Sequence, residues 1–210
     1  MRFAELEAAT VDGYGTLLRL ADPVPALQAA LACRGVDRSP AEIAAAFRAE
    51  VDHYRPRSHE GRDEDSLAAL RLDCCGVFLG ALGNSVDSDA FVGAFVAALV
   101  FEPIEGVAET LRELQARGLH LGVVANWDCA LPEHLEAAGL LDRFDTVVTS
   151  ARAGVAKPDP AIFELALREL GVPPERAVHV GDEPLDEEGA RAAGMAFVPA
   201  PLATAFEGWT

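Results

Sequence analysis

Four short apolar runs, each stopped by a polar residue, constrain this chain more than any other feature of it. They are Ala8 to Asp12, Leu119 to Asn126, Phe144 to Ser150 and Ala177 to Asp182. Each is too short for a helix, and each leads into a loop and then a helical pattern, which is how buried parallel strands read. The helical stretches carry their own boundary signals. Asp159-Pro160 opens AIFELALREL as N-cap and first helical residue, and Gly171 stops it. LPEHLEAAG ends in the same way at Gly139. Strands alternating with helices predict an α/β fold with a doubly wound, Rossmann-like parallel sheet. Ligands of such sheets lie beyond the carboxyl ends of the strands, so the four polar terminators are expected to converge there.

The stretch from Pro23 to Leu99 reads differently. It is rich in alanine with helical periodicity, and Ser39-Pro40-Ala41-Glu42 forms a capping box ahead of AAAFRAEV. We therefore expect a core of residues 1–20 and 100–210, interrupted by a helical cap over 21–99. The loop HYRPRSHEGRDEDS reads as a solvated turn, with Arg55, Arg57 and His59 as its candidates for substrate contact. A chain of 210 residues can bury a core without staples, and Cys33, Cys74, Cys75 and Cys129 form no CxxC pair, so they read as reduced thiols. The net charge of −17 argues against a nucleic-acid partner. No apolar run is long enough to cross a membrane, and the acidic N-terminus does not read as a signal peptide. The expectation is a cytoplasmic monomer or homodimer acting on a small, anionic molecule.

The strand ends hold the chemistry. The first reads Val11-Asp12-Gly13-Tyr14-Gly15-Thr16-Leu17 and the second Val123-Val124-Ala125-Asn126. Lys157-Pro158-Asp159-Pro160 follows the third, and the fourth gives Val180-Gly181-Asp182-Glu183-Pro184-Leu185-Asp186. Of 17 basic residues only Lys157 is a lysine, so this compact ammonium stands out in a chain that otherwise uses arginine. In order and placement these segments resemble the haloacid dehalogenase (HAD) superfamily, over roughly residues 8–20 and 103–198. The resemblance implies a HAD core with a C1-type helical cap and an aspartate nucleophile, Asp12. Thr16 and the amides after it would hold an anion, with Gly15 allowing close approach, and Lys157 and Asn126 would complete the catalytic set. Asp12, Asp182 and Asp186 facing one lysine leave a net charge of −2, which a Mg²⁺ ion would cancel. The resemblance implies Asp12, the main chain of Tyr14, and Asp182 as its ligands, with Asp186 bound directly or through water and Glu183 a lesser candidate.

Two positions depart from the family's phosphatases. Tyr14 stands where an acidic proton donor is usual, and Ala125 where a Ser or Thr holds the transferred group. Tyr at that place is similar to the 2-haloacid dehalogenase branch, whose leaving halide needs no proton. That branch lacks the acidic GD present here and clamps substrate with a cap arginine, for which Arg34 and Arg38 are positional candidates. Trp127 is a candidate pocket residue, and His179 reads as a packed strand residue. Our lead reading is a Mg²⁺-dependent phosphatase of a small phosphorylated metabolite. A metal-independent 2-haloacid dehalogenase, or a HAD-fold binding protein with little turnover, are the alternatives.

Overall fold

A computed structural model describes residues 5–83 and 86–208; residues 1–4, part of the expected acidic N-terminus, and residues 84–85, within the expected cap, lie outside it, as do 209–210. In chain order the elements are β1 (Ala8–Val11), β2 (Leu18–Leu20), α1 (Val24–Ala32), α2 (Pro40–Tyr54), α3 (Glu64–Ala81), α4 (Ser88–Ala97), β3 (Phe101–Pro103), α5 (Val107–Ala116), β4 (His120–Ala125), α6 (Leu131–Ala137), β5 (Thr146–Thr149), α7 (Ser150–Ala153), α8 (Pro160–Leu170), β6 (Ala177–Gly181), α9 (Pro184–Ala192) and β7 (Ala196–Pro199). The chain divides into two compact units, one of residues 1–19 and 102–210 and one of Leu20–Phe101.

The first unit is built on a parallel sheet of order β5-β4-β1-β6-β7. β1 lies between β4 and β6, with Val11 level with both Val123 and Val180. The strand order reverses at β1, so the loop after it opens at the switch point of the sheet. The strands are apolar because both faces are covered, and Ala8, Val124 and Val148 share one core with Ile162, Phe163, Ala166 and Leu167 of α8. α8 begins where expected: the Asp159 carboxylate accepts from the Ala161 N–H at 2.9 Å, and Gly171 takes the left-handed conformation (φ +69°) that ends it. Two features escaped the sequence reading. β7 extends the sheet beyond β6, and β2 pairs with β3 in a separate two-stranded sheet.

The second unit is helical. Its core packs Leu27 and Leu31 of α1, Ile43 and Ala46 of α2, Phe78 and Leu79 of α3, and Phe91 and Phe95 of α4. Phe78 sits 6.2 Å from Phe91 and 5.3 Å from Phe95 between ring centres. The Ser39–Glu42 capping box opens α2, and a second, Asp63–Ser66, opens α3. The charged loop between them winds into a 3₁₀ helix over Arg55–Glu60, in which Ser58 alone is buried.

Candidate active site

Asp12 follows β1 directly, and its N–H still donates to Val180 O at 2.9 Å, which holds it level with the end of β6. The chain then turns sharply: the N–H groups of Leu17 and Leu18 both donate to Gly13 O (3.1 and 2.8 Å), and that of Gly15 to Leu18 O at 2.9 Å. Gly15 has φ +87°, and a Cβ there would stand 2.3 Å from Asp182 Oδ2. Glycine is required twice over, for the turn and for the approach of that carboxylate. At the end of β6 close approach alone requires Gly181, where a Cβ would lie 2.4 Å from Asp186 Cγ. Asp186 is oriented by the start of α9, its Oδ2 accepting from the Glu183 N–H at 3.0 Å.

Lys157 joins the two acids. Its Nζ donates to Asp12 Oδ1 and, at 2.5 Å, to Asp186 Oδ1. Only 2% of its side chain is exposed, so the ammonium keeps its charge solely by virtue of these carboxylates. Asn126, at the end of β4, fixes the lysine from behind: its Oδ1 accepts from the Lys157 N–H at 2.7 Å and its Nδ2 donates to Lys157 O at 3.1 Å.

Electrostatics separates the two buried acids. Burial pushes the Asp12 carboxyl up to about 6; Lys157 opposes the rise, and Asp186 and Asp182 add to it. Burial would raise Asp186 too, but the hydrogen bond from His179 and the Lys157 ammonium overcome it and hold Asp186 well below the usual carboxylate range. Burial works against the Lys157 charge, yet the facing carboxylates keep it above the ordinary lysine value. His179, wholly buried, is pushed by burial down to about 4 and is neutral at pH 7.

The structure thus brings Asp12, Lys157, Asp182 and Asp186 together. Carboxylate oxygens of Asp12, Asp182 and Asp186 lie within 4.8 Å of one another, and Asp182 is the exposed member of the three. The remaining candidates have partners of their own. The Thr16 hydroxyl, expected to hold an anion, donates to Asp182 Oδ1 at 3.4 Å, and the Leu17 and Leu18 amides that follow it donate to Gly13 O. Asn126, expected to offer a donor to the transferred group, grips the Lys157 backbone. The Ala125 methyl is buried and faces Gly13, where a Cβ would meet it at 3.1 Å. Tyr14 is 45% exposed, and its ring lies 6.5 Å from that of Trp127, which is itself buried. Glu183 is half-buried at the N-cap of α9.

In the helical unit, Arg34 donates to Ala30 O and Ala90 O, and Arg38 to Leu82 O and Asp37 O, so internal carbonyls engage both candidate clamps. Arg57 is tied to Glu60 and Asp73. The sequence reading also missed a contact: His179 Nε2 lies 3.3 Å from Asp186 Oδ1 and its Nδ1 2.8 Å from Thr10 Oγ1. Its signal was there, since Thr10 and His179 are the polar residues inside two otherwise apolar strands.

A family model of haloacid dehalogenase-like hydrolases matches residues 6–194. The chain belongs to this family. Its HAD core carries the family's parallel sheet with flanking helices, and its relatives fall on both sides of the family's chemistry. Human haloacid dehalogenase-like hydrolase domain-containing protein 3 is 35% identical over 204 residues, 91% of this chain and 80% of that protein. A phosphoserine phosphatase from Thermus thermophilus is 45% identical over a shorter stretch, 40% of this chain and 35% of that protein. Among solved structures, L-2-haloacid dehalogenase from Xanthobacter autotrophicus superposes with a TM-score of 0.68 at 25% identity, covering 96% of this chain and 82% of that one. A HAD phosphatase from Thermococcus onnurineus gives 0.61 at 26%, covering 92% and 85%.

Proposed function

We propose that this HAD hydrolase is a Mg²⁺-dependent phosphatase that acts through an aspartyl intermediate on a small phosphorylated metabolite. The observation that carries the reading is the cluster of Asp12, Asp182 and Asp186, of which only Asp12 and Asp186 are paired with the buried Lys157. The three clustered carboxylates repel one another, a single ammonium offsets only part of that charge, and burial makes Asp12 costly to ionise. The donor set fits Mg²⁺: all hard oxygens, one exposed and two buried, with Gly15 lacking the Cβ that would displace Asp182. Asp12 and Asp182 would hold the ion with the main chain of Tyr14, and Asp186, engaged by Lys157, His179 and Glu183, would reach it through water. When bound, the ion neutralises the carboxylates and draws charge from a phosphoryl group.

The chain's own residues supply the rest. Lys157 fixes Asp12 through Oδ1 and leaves Oδ2 to attack phosphorus, splitting one hard displacement into two steps. Asn126 and Asp186 keep the ammonium where it meets both nucleophile and substrate charge. Tyr14 stands beside the nucleophile in place of a carboxylic acid, so the best substrates are those whose leaving group departs as a stable anion. A second reading, halide release from a 2-halo acid, is favoured by Tyr14. A panel of phosphate esters and 2-halo acids, scored for phosphate and halide with Mg²⁺ and with chelator, tests both. Phosphate release only with Mg²⁺ is expected. Halide release indifferent to chelator would replace the proposal with the dehalogenase reading.

A further inference from the structure

Thr10 and His179 face each other in register across β1 and β6, and both are wholly buried. His179 packs edge-on against Phe163 at 5.0 Å and beside Phe197 at 6.5 Å, in a setting that disfavours a second ring proton. Its partners then fix the tautomer. A carboxylate oxygen can only accept, so the nitrogen facing Asp186 Oδ1 at 3.3 Å, Nε2, must carry the proton. Nδ1 is left bare and must accept, and the group 2.8 Å away is the Thr10 hydroxyl, which can donate. A directed chain results, running from Thr10 through His179 to Asp186, whose Oδ1 also receives Lys157 Nζ at 2.5 Å; the same ammonium donates to Asp12.

We propose that Thr10 and His179 are positioning residues of this hydrolase: the threonine hydroxyl sets the imidazole tautomer, the imidazole sets the rotation of Asp186, and Asp186 sets Lys157 on the nucleophile. This goes beyond the four strand-end groups, because neither residue reaches the reacting atoms. Its catalytic consequence rests on the phosphatase reading, whereas the tautomer does not. A partner that orients such a site from behind is commonly worth about 10–100-fold in activity.

Two measurements test it on the full chain. The first is long-range ¹H–¹⁵N correlation on ¹⁵N-histidine-labelled protein at neutral pH, with His179 assigned by substitution among the five histidines. His179 should be neutral with the proton on Nε2, and Thr10→Val should move its Nδ1 resonance. A proton on Nδ1, or an imidazolium, overturns the proposal. The second compares Thr10→Val, which keeps the volume and loses the hydroxyl, with Thr10→Ser, which keeps the hydroxyl and loses a methyl. With p-nitrophenyl phosphate and Mg²⁺, Thr10→Val should lower kcat about tenfold or more with KM unchanged, and Thr10→Ser should stay within a few-fold of wild type. A packing role predicts the opposite ranking or equal losses, and either result overturns the proposal. If the wild type hydrolyses no phosphate ester while the tautomer is as stated, the phosphatase reading falls and the orientation of Asp186 by His179 is upheld.

Discussion

Replacing Glu50 with glutamine should stabilise this protein above neutral pH and do little in acid. Glu50 lies on α2 with 5% of its surface exposed, facing the helical unit's interior. Burial pushes its carboxyl from 4.5 up to about 7, against the opposing pull of the Cys74 thiol and of His53. Cys74 is itself raised, by burial first and by Glu50 second, and stays a neutral thiol. Unfolded chains release this proton near 4.5 and the folded protein near 7, so the folded state binds more protons in between. Stability therefore declines as pH rises from about 4.5 to 7 and stays low beyond. At about 1.4 kcal/mol for each tenfold change in proton affinity, the ionised carboxylate costs about 3 kcal/mol at pH 8.5. Glutamine keeps the shape and never ionises, but remains a buried polar group, so we expect a gain of about 1–3 kcal/mol. In a protein of this size that is a rise of about 2–12 °C in Tm. Thermal unfolding of both proteins in EDTA, at roughly pH 5 and pH 8.5, reads it out. Curves that shift equally with pH, or a variant less stable at the higher pH, would show that Glu50 is solvated when charged and refute the reasoning.

Three further predictions concern the site. Saturating Mg²⁺ should raise the thermal stability of the wild type, by about 2.7 kcal/mol at a hundred times Kd, and Asp182→Asn should abolish the gain; a wild type indifferent to millimolar Mg²⁺ contradicts the proposed ligand set. Lys157→Arg should eliminate turnover, because a planar fork cannot fill a buried pocket shaped around an ammonium bound to two carboxylates, and activity within a few-fold of wild type would place the lysine outside the chemistry. Aryl and acyl phosphates should outpace alkyl phosphates steeply, and Tyr14→Asp should flatten the series by up to about 10²–10⁴; a series already flat in the wild type means that another group supplies the proton.

The sheet was legible where its strands announce themselves. β1, β4, β5 and β6 are apolar runs closed by Asp12, Asn126, Ser150 and Asp182, and the polar stop marks the end of each strand in the sequence itself. β7 has no such mark: Ala196–Pro199 is four residues long, half-buried for most of its length, and ends in proline. The identities at the site were legible because nucleophile, lysine and acids sit at strand ends. What they bond to was not. Asn126 grips a backbone 31 residues away, and Thr16 donates to an acid 166 residues away, so their partners are set by how strands and loops are brought together. His179 looked like packing because the six residues between it and Asp186 include the turn into α9, and no local pattern tells that the carboxylate folds back beneath the ring.

The solitary lysine has a practical consequence for anyone studying this hydrolase in solution. With every other basic side chain an arginine or histidine and the one ε-amine 98% enclosed, amine-directed cross-linkers, dyes and immobilisation chemistries find no lysine on the folded surface. The same scarcity makes lysine a ready-made isotope label. Uniform ¹⁵N-lysine enrichment yields a single ammonium signal, located between Asp12 and Asp186, with no assignment problem and no mutation. Any ligand, ion or substrate analogue that disturbs those two carboxylates can be followed through one resonance in a 22.2 kDa protein.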